Sequence, residues 1–144
     1  MDSSIWYRPF SLDEAALRFD NTMAAYLGIK IVEIGDDYIK GTMAVSDKVR
    51  QPMGLVHGGA NVALAETVGS IGANMVVDQS KFTCVGQEIN ANHLRPVREG
   101  TVTAVAKPEY IGRSTQVWGI RLYDDRGKLT CVSRLTMAVI ARPS

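Results

Sequence analysis

The stretch GLVHGGANVALAETVGSIGANMVV, residues 54–77, is made almost entirely of small or apolar residues. Its length resembles that of a membrane span, yet it also contains His57, Asn61 and Glu66. Glycine and alanine are frequent in it, and small side chains let other elements pack closely against a helix. The stretch therefore predicts one helix, from about Gly58 to Val77, buried inside a soluble domain.

The residues before this helix predict two short helices. Ser11 precedes two acidic residues, as an N-cap does at the start of a helix. The apolar positions of that first helix are Ala15, Leu17 and Phe19. Asn21 is placed to cap a second short helix, which Gly28 would end.

All other regular elements are predicted to be strands, because β-branched and alternating residues are bounded by turn-forming ones. Residues 29–34 and 38–45 form a hairpin, and residues 46–54 form a loop. Four further strands are predicted at residues 82–94, 100–110, 115–123 and 129–140. This order of elements favours an α+β fold in which a curved antiparallel sheet wraps around the central helix.

Length and composition set limits on the function. The chain has 144 residues, of which 46% are hydrophobic, so we expect one domain spanning residues 1–144. With 16 basic and 15 acidic residues, its net charge is too small to indicate a nucleic-acid or membrane partner.

Cys84 and Cys131 form no CxxC pair and are interpreted as reduced packing residues. The N-terminus lacks the features of a signal peptide, which indicates a cytoplasmic protein, and no HxxxH or CxxC motif indicates a metal.

Glu66 is the residue of the central helix whose presence most needs an explanation. Helical spacing places it on one stripe with Ala63 and Ser70, so a carboxylate and a hydroxyl project together from an apolar helix. A structural acid would pair with a base, but this helix contains none. Desolvation favours the protonated carboxyl, which suits acid–base catalysis. A catalytic carboxylate is therefore the favoured interpretation, and a paired core acid is the alternative.

The start of the helix contains a second candidate group, the Gly58 N–H. The first N–H groups of a helix have no partner within it. Without a side chain at Gly58, a carbonyl oxygen could approach this donor as in an oxyanion hole. The alternative is that Gly58 and Gly59 only permit close contact between helix and sheet. His57 is expected to bond to backbone and to orient groups rather than act as a base.

Several motifs together resemble one family. They are QPMGLVHGG at 51–59, LAET at 64–67, GS at 69–70, VGQEINANH at 85–93, REG at 98–100 and IW at 5–6. The set is similar to the hotdog-fold aryl-CoA thioesterases, in particular the 1,4-dihydroxy-2-naphthoyl-CoA thioesterases and the proofreading thioesterases of the enterobactin pathway. Nearly the whole chain is covered. The resemblance implies the hotdog fold and hydrolysis of an acyl-CoA thioester, with menaquinone biosynthesis as a fitting pathway.

The resemblance also implies roles for individual residues. Glu66 would be the nucleophile or general base, and Gly58 would donate its N–H to the thioester carbonyl. The other implied active-site positions are Gln51, His57 and Ser70. The resemblance also implies that Arg95, Ser114 and Thr115 lie near coenzyme A. From the residues alone, Arg113 is a candidate phosphate contact and His93 a candidate for the acyl pocket. The alternatives are a solvated strand edge for the arginine and a packed strand position for the histidine. Coenzyme A belongs to the substrate, so no separate cofactor is expected.

The resemblance leaves the acyl group and the thiol carrier open. Residues 90–92 and 95–96 mix features of both relatives, and an acyl carrier protein is an alternative carrier. A hydratase would need an Asp–His pair that the helix lacks, and a non-catalytic acyl-CoA binding module would have no use for Glu66. Because a lone protomer would expose a sheet edge, we expect a homodimer or a dimer of dimers with shared sites.

Overall fold

The computed structural model describes residues 3–16 and 20–143. Its helices are α1 (Leu12–Ala16), α2 (Met23–Leu27) and α3 (Gly58–Val76), with a 3₁₀ turn at Asp47–Val49. Its strands are β1 (Ile29–Ile34), β2 (Ile39–Ala44), β3 (Phe82–His93), β4 (Thr101–Ile111), β5 (Thr115–Tyr123) and β6 (Leu129–Ala141).

The strands form one antiparallel sheet in the order β1-β2-β4-β5-β6-β3. Helix α3 packs against β2, β3, β4, β5 and β6. This is the α+β hotdog arrangement that the sequence predicted. The first hairpin joins the later strands through the pairing of β2 with β4.

Two glycines of α3 explain how the sheet comes so close to the helix. A β-carbon at Gly72 would lie 2.9 Å from the ring of Trp118, which is fully buried on β5. A β-carbon at Gly69 would lie 2.7 Å from Leu135 on β6. Contacts this short force neighbours to move. The glycines therefore serve the close packing that was expected of them.

One predicted helix cap is wrong. The N-cap of α2 is Thr22, whose extended backbone (φ −122°, ψ 165°) lets its hydroxyl accept a hydrogen bond from Ala25 N–H at 3.3 Å. Asn21 instead has φ 59°, in the left-handed region. An N-cap needs extended backbone, and asparagine tolerates the left-handed region better than most residues. Leu17 and Phe19 of the first predicted helix lie outside the described residues.

The remaining boundaries differ little from those predicted. Strand β5 has the predicted ends. Strands β3 and β6 and helix α3 differ by one residue at one end, and β4 is shifted by one residue at both ends. In the described ranges 3–16 and 20–143, no helix is both long and apolar enough to cross a membrane.

The two edges of the sheet differ in length. Strand β1 has six residues and β3 has twelve. Strand β3 pairs with β6 on one side, and no strand of the described chain covers its other side. A long unpaired edge presents backbone N–H and C=O groups that can pair with another strand.

Candidate active site

The segment before α3 fixes the position of the helix start. His57 N–H donates to the carbonyl of Val49 at 2.7 Å, and Val56 N–H donates to the carbonyl of Val97 at 2.8 Å. His57 is also the N-cap of α3, because its Nδ1 accepts from Gly59 N–H at 2.8 Å. An Nδ1 that accepts a hydrogen bond carries no proton. His57 therefore organises the helix start, which is the backbone-bonded position expected from the sequence.

The first N–H of the helix is left available. The N–H groups of Ala60 and Asn61 donate to the carbonyl of His57 at 2.9 and 3.2 Å. Gly58 N–H, in contrast, has no acceptor among the described residues. A β-carbon at Gly58 would lie 2.9 Å from Nε2 of His93. The imidazole of His93 thus lies over Gly58, at a distance that suits glycine at this position.

Gly58 opens into a cavity of about 320 Å³ between α3 and the end of β3. Four of the predicted site residues line it together: Gln51, Gly58, His93 and Arg95. Its other walls include Leu55, Val56, Pro96 and Val97, which are mainly apolar. A mostly apolar cavity with a few converging polar groups is the usual form of a small-molecule site.

Gln51 is held by the turn that it begins. Its backbone N–H donates to the carbonyl of Leu55 at 2.8 Å, and its carbonyl accepts from Gly54 N–H at 2.9 Å. Its Oε1 accepts from Met53 N–H. Within the described chain its Nε2 has no acceptor, so this amide group can donate to a molecule in the cavity.

Asn61 also lines this cavity, and it was not among the predicted site residues. The residue is 6% exposed, and its Oδ1 has no hydrogen-bond partner in the part of the chain that the structure describes. Buried polar atoms are nearly always hydrogen-bonded. An asparagine in an otherwise apolar helix was the signal in the sequence that could have identified it.

Glu66 lies apart from this cavity. It follows Gly58 by eight residues, which corresponds to roughly 12 Å along the helix axis. Its side chain is half-buried rather than fully buried, and no described residue bonds to its carboxylate. A β-carbon at Gly86, on the edge strand β3, would collide with Oε2 of Glu66. The sequence analysis did not single out Gly86, although a glycine inside a strand often marks a close approach.

Ser70 lies one turn beyond Glu66. Its hydroxyl contacts Sδ of Met137 at 3.7 Å, and it lines a second cavity of about 260 Å³ under the N-terminal segment. Arg8, Phe10 and Met75 line the same cavity. The predicted stripe of Glu66 and Ser70 thus faces a region distinct from the cavity at Gly58.

The basic residues predicted to bind the nucleotide do not come together. Arg95 is at the cavity beside Gly58. Arg113, Ser114 and Thr115 lie at the turn between β4 and β5 and line neither cavity. Thr115 pairs with Ala138, which pairs with Val85 next to Gly86. Along the strands, this turn is therefore level with Gly86, the glycine that lies against Glu66.

A third concavity, larger than the two described above, lies on the opposite face of the sheet. It measures about 770 Å³, and Lys107, Arg121 and Arg134 line it. None of the predicted catalytic residues does. Its volume alone therefore does not make it the candidate active site, since the free polar groups of α3 lie elsewhere.

Comparisons with known proteins identify the family. Residues 53–131 match the thioesterase superfamily. The chain belongs to that superfamily. The 1,4-dihydroxy-2-naphthoyl-CoA hydrolase of Escherichia coli K12 is 43% identical over 136 residues, covering 94% of this chain and 99% of that protein.

Solved structures agree with this membership. A mutant thioesterase from Pseudomonas aeruginosa has a TM-score of 0.95 and 44% identity, covering 96% of this chain and 100% of that one. A thioesterase from Haemophilus influenzae has a TM-score of 0.92 and 46% identity, covering 95% of both chains. The chain is therefore an enzyme, an acyl-CoA thioesterase. The hydratase and the non-catalytic binding module considered from the sequence are not supported.

Proposed function

We propose that this thioesterase hydrolyses aromatic acyl-CoA thioesters, with Gly58 N–H as the oxyanion donor and Glu66 as nucleophile or general base. The observation that carries the proposal is the free N–H of Gly58 in a cavity that Gln51, His93 and Arg95 also line. The half-buried Glu66 carboxylate on the same helix supplies the second group. The name of the E. coli relative supports a hydroxynaphthoyl or similar ring as the acyl group.

The chemistry requires few groups. A hydrogen bond from Gly58 N–H stabilises the charge that develops on the carbonyl oxygen when a nucleophile adds to the carbonyl carbon. The nucleophile is either water that has lost a proton to Glu66, or the Glu66 carboxylate, which forms an anhydride that water then cleaves. The C–S bond breaks and the electron pair leaves with sulfur. Because a thiol has a pKa of about 8.5, the departing thiolate needs no strong acid.

Two protomers would complete the site. Glu66 and the Gly58 cavity are roughly 12 Å apart along α3, while hydrolysis requires both groups at one carbonyl. The unpaired edge of β3 can pair with the same edge of a second copy, and Gly86 on that edge lies against Glu66. An antiparallel pair would bring Glu66 of one protomer toward Gly58 of the other. Arg95 lies at the Gly58 cavity, whereas the turn at 113–115 is on the part of the sheet near Glu66. If a dimer joins these two regions, residues from both protomers can contact one coenzyme A.

Substrate preference is tested with three coenzyme A thioesters: benzoyl, 1,4-dihydroxy-2-naphthoyl and hexanoyl. A ring conjugated to the thioester is rigid and loses little freedom on binding, so we expect higher kcat/KM values for the aryl substrates. If hexanoyl-CoA equals or exceeds both aryl substrates, the aromatic assignment is wrong although the thioesterase assignment stands. Carrier-protein thioesters of the same acyl groups test the proofreading alternative.

Complementation between inactive variants tests the shared site. Glu66→Gln and Gly58→Val are each expected to be inactive alone. After mixing under conditions that exchange subunits, half of the dimers would be mixed and would contain one intact site of two. Recovery of about one quarter of the wild-type activity is expected for a symmetric dimer. No recovery, with exchange verified by mass, would place both groups in one protomer.

A further inference from the structure

The unpaired oxygen of Asn61 suggests a ligand contact. Its Oδ1 is buried and has no partner among the described residues, and the side chain lines the cavity that Gly58 also lines. Leaving an acceptor unpaired lowers the stability of a folded protein. A hydrogen-bond donor supplied by a bound molecule would compensate for this loss.

The position of Asn61 relative to Gly58 limits what that donor can be. Residues three apart lie on one face of a helix, and the β-carbon positions of two such residues are about 5–6 Å apart. Gly58, with its free N–H, and Asn61, with its buried and unpartnered Oδ1, thus line one cavity and are separated by one helical turn. A ligand that uses both must have a carbonyl oxygen and an N–H or O–H group at a similar spacing.

A pantetheine thioester has this spacing. Two methylene groups separate its sulfur from the first amide nitrogen, so four bonds of about 1.5–1.8 Å place that N–H roughly 5 Å from the thioester carbon. Leu55, Val56 and Val97 on the cavity wall suit the methylene groups. An amide N–H that loses its water in such surroundings needs an acceptor.

We propose that Asn61 Oδ1 accepts a hydrogen bond from the first amide N–H of the pantetheine arm while Gly58 N–H bonds to the thioester carbonyl. This inference rests on the proposed function and adds a binding residue to it. Asn61 then aligns the carbonyl and recognises the carrier arm. Because coenzyme A and carrier proteins share this amide, the contact serves either thiol carrier and is independent of the acyl group.

The test uses two small substrates that differ in one group. One is the benzoyl thioester of N-acetylcysteamine, and the other replaces its amide N–H with CH₂. Losing one donor to a buried acceptor should lower kcat/KM about tenfold for the wild type. Asn61→Leu, which keeps a branched side chain and removes the acceptor, should hydrolyse the two substrates within about twofold of each other.

Two further variants sharpen the test. Asn61→Asp keeps an acceptor oxygen and removes the amide donor, so it should retain the preference for the N–H substrate. Thr67→Val is the matched control, since the Thr67 hydroxyl bonds to the carbonyl of Ala63 within α3 at 2.6 Å. It removes a polar group from the same helix and should keep the wild-type preference.

The outcomes separate this inference from the function on which it rests. Equal rates on both substrates with wild type, or equal losses on both in Asn61→Leu, would overturn the role of Asn61. Loss of the preference in Asn61→Asp would also overturn it. Failure of the wild type to hydrolyse benzoyl-CoA, hydroxynaphthoyl-CoA and hexanoyl-CoA would instead overturn the proposed function. If only hexanoyl-CoA is hydrolysed, the same pair is made with a hexanoyl group.

Discussion

Two asparagines on the central helix have opposite surroundings. Asn74, near the end of α3, is fully paired. Its Oδ1 accepts from Cys84 N–H at 2.9 Å, and its Nδ2 donates to the carbonyls of Ser70 at 2.9 Å and Cys84 at 3.2 Å. Asn61, near the start, is more deeply buried yet leaves Oδ1 without a partner in the described chain.

The polar groups around these two asparagines, at the end and at the start of α3, show the same contrast. Near Asn74, the Gln116 side chain donates to the carbonyl of Ala73 at 3.3 Å and accepts from Trp118 Nε1 at 2.8 Å. Near Asn61, Gly58 N–H has no described partner. The unpaired oxygen of Asn61 is buried, and such groups are costly. The part of α3 around Asn74 is therefore interpreted as structural, and the part around Asn61 as the place where a ligand completes the bonding.

The largest effect should come from Glu66→Gln, because this change removes the proposed base or nucleophile while keeping the side-chain shape. We expect kcat to fall at least about a hundredfold with the fold intact. Thiol release from an aryl-CoA substrate measures the rate, and circular dichroism checks the fold. Substantial residual hydrolysis would remove Glu66 from the mechanism.

The next effect concerns Gly58. A methyl group there would cover the free N–H and would also meet His93, so Gly58→Ala should lower kcat/KM by about tenfold or more. The double variant Gly58→Ala with His93→Ala relieves the collision but still covers the N–H, and its activity should remain low. Activity restored to the level of His93→Ala alone would show that the collision, and not the oxyanion donor, matters.

The fold could be predicted because local patterns were clear. The apolar run with Gly69 and Gly72 identified a wrapped helix, and alternating residues identified the strands. The Asn21 cap was wrong because a choice between adjacent capping residues depends on the backbone angle at each one. Sequence patterns of residue type do not contain that angle.

The arrangement of the site was harder to predict than its members. The helix period correctly placed Glu66 and Ser70 on one stripe, but it could not show that Gly58 opens into another cavity. The contact of Gly86 with Glu66 depends on the position of β3 beside α3, which is a long-range property. Arg95 and Arg113 were both candidates for contact with coenzyme A, whereas Arg95 lines the Gly58 cavity and Arg113 lies at the turn between β4 and β5.

A stability comparison of the two asparagines sharpens the contrast. Asn74→Leu breaks three hydrogen bonds and leaves groups of Cys84 unpaired, so the free energy of unfolding should fall by about 2–3 kcal/mol. Asn61→Leu breaks none in the described chain and should leave stability unchanged or raise it. Urea unfolding of both variants measures this. Equal destabilisation would show that Asn61 is also structural.

The smallest effect is expected at Cys84, whose backbone Asn74 holds. Burial raises the pKa of its thiol to about 11, so at about pH 8 almost none is the reactive thiolate, and an aromatic disulfide reagent should label it slowly. Burial likewise raises the pKa of the Cys131 thiol. The raised pKa of Cys84 contributes stability at pH values below its pKa in the unfolded chain, about 8.5, and this contribution is lost as the pH rises toward 11.

Asn74→Leu should accelerate labelling of Cys84 by loosening its strand, while Asn61→Leu should leave the rate unchanged. Mass spectrometry assigns the labelled cysteine, with urea-unfolded protein as the fully reactive control. Fast labelling of Cys84 in the native wild type would contradict a rigid, paired second half of the helix.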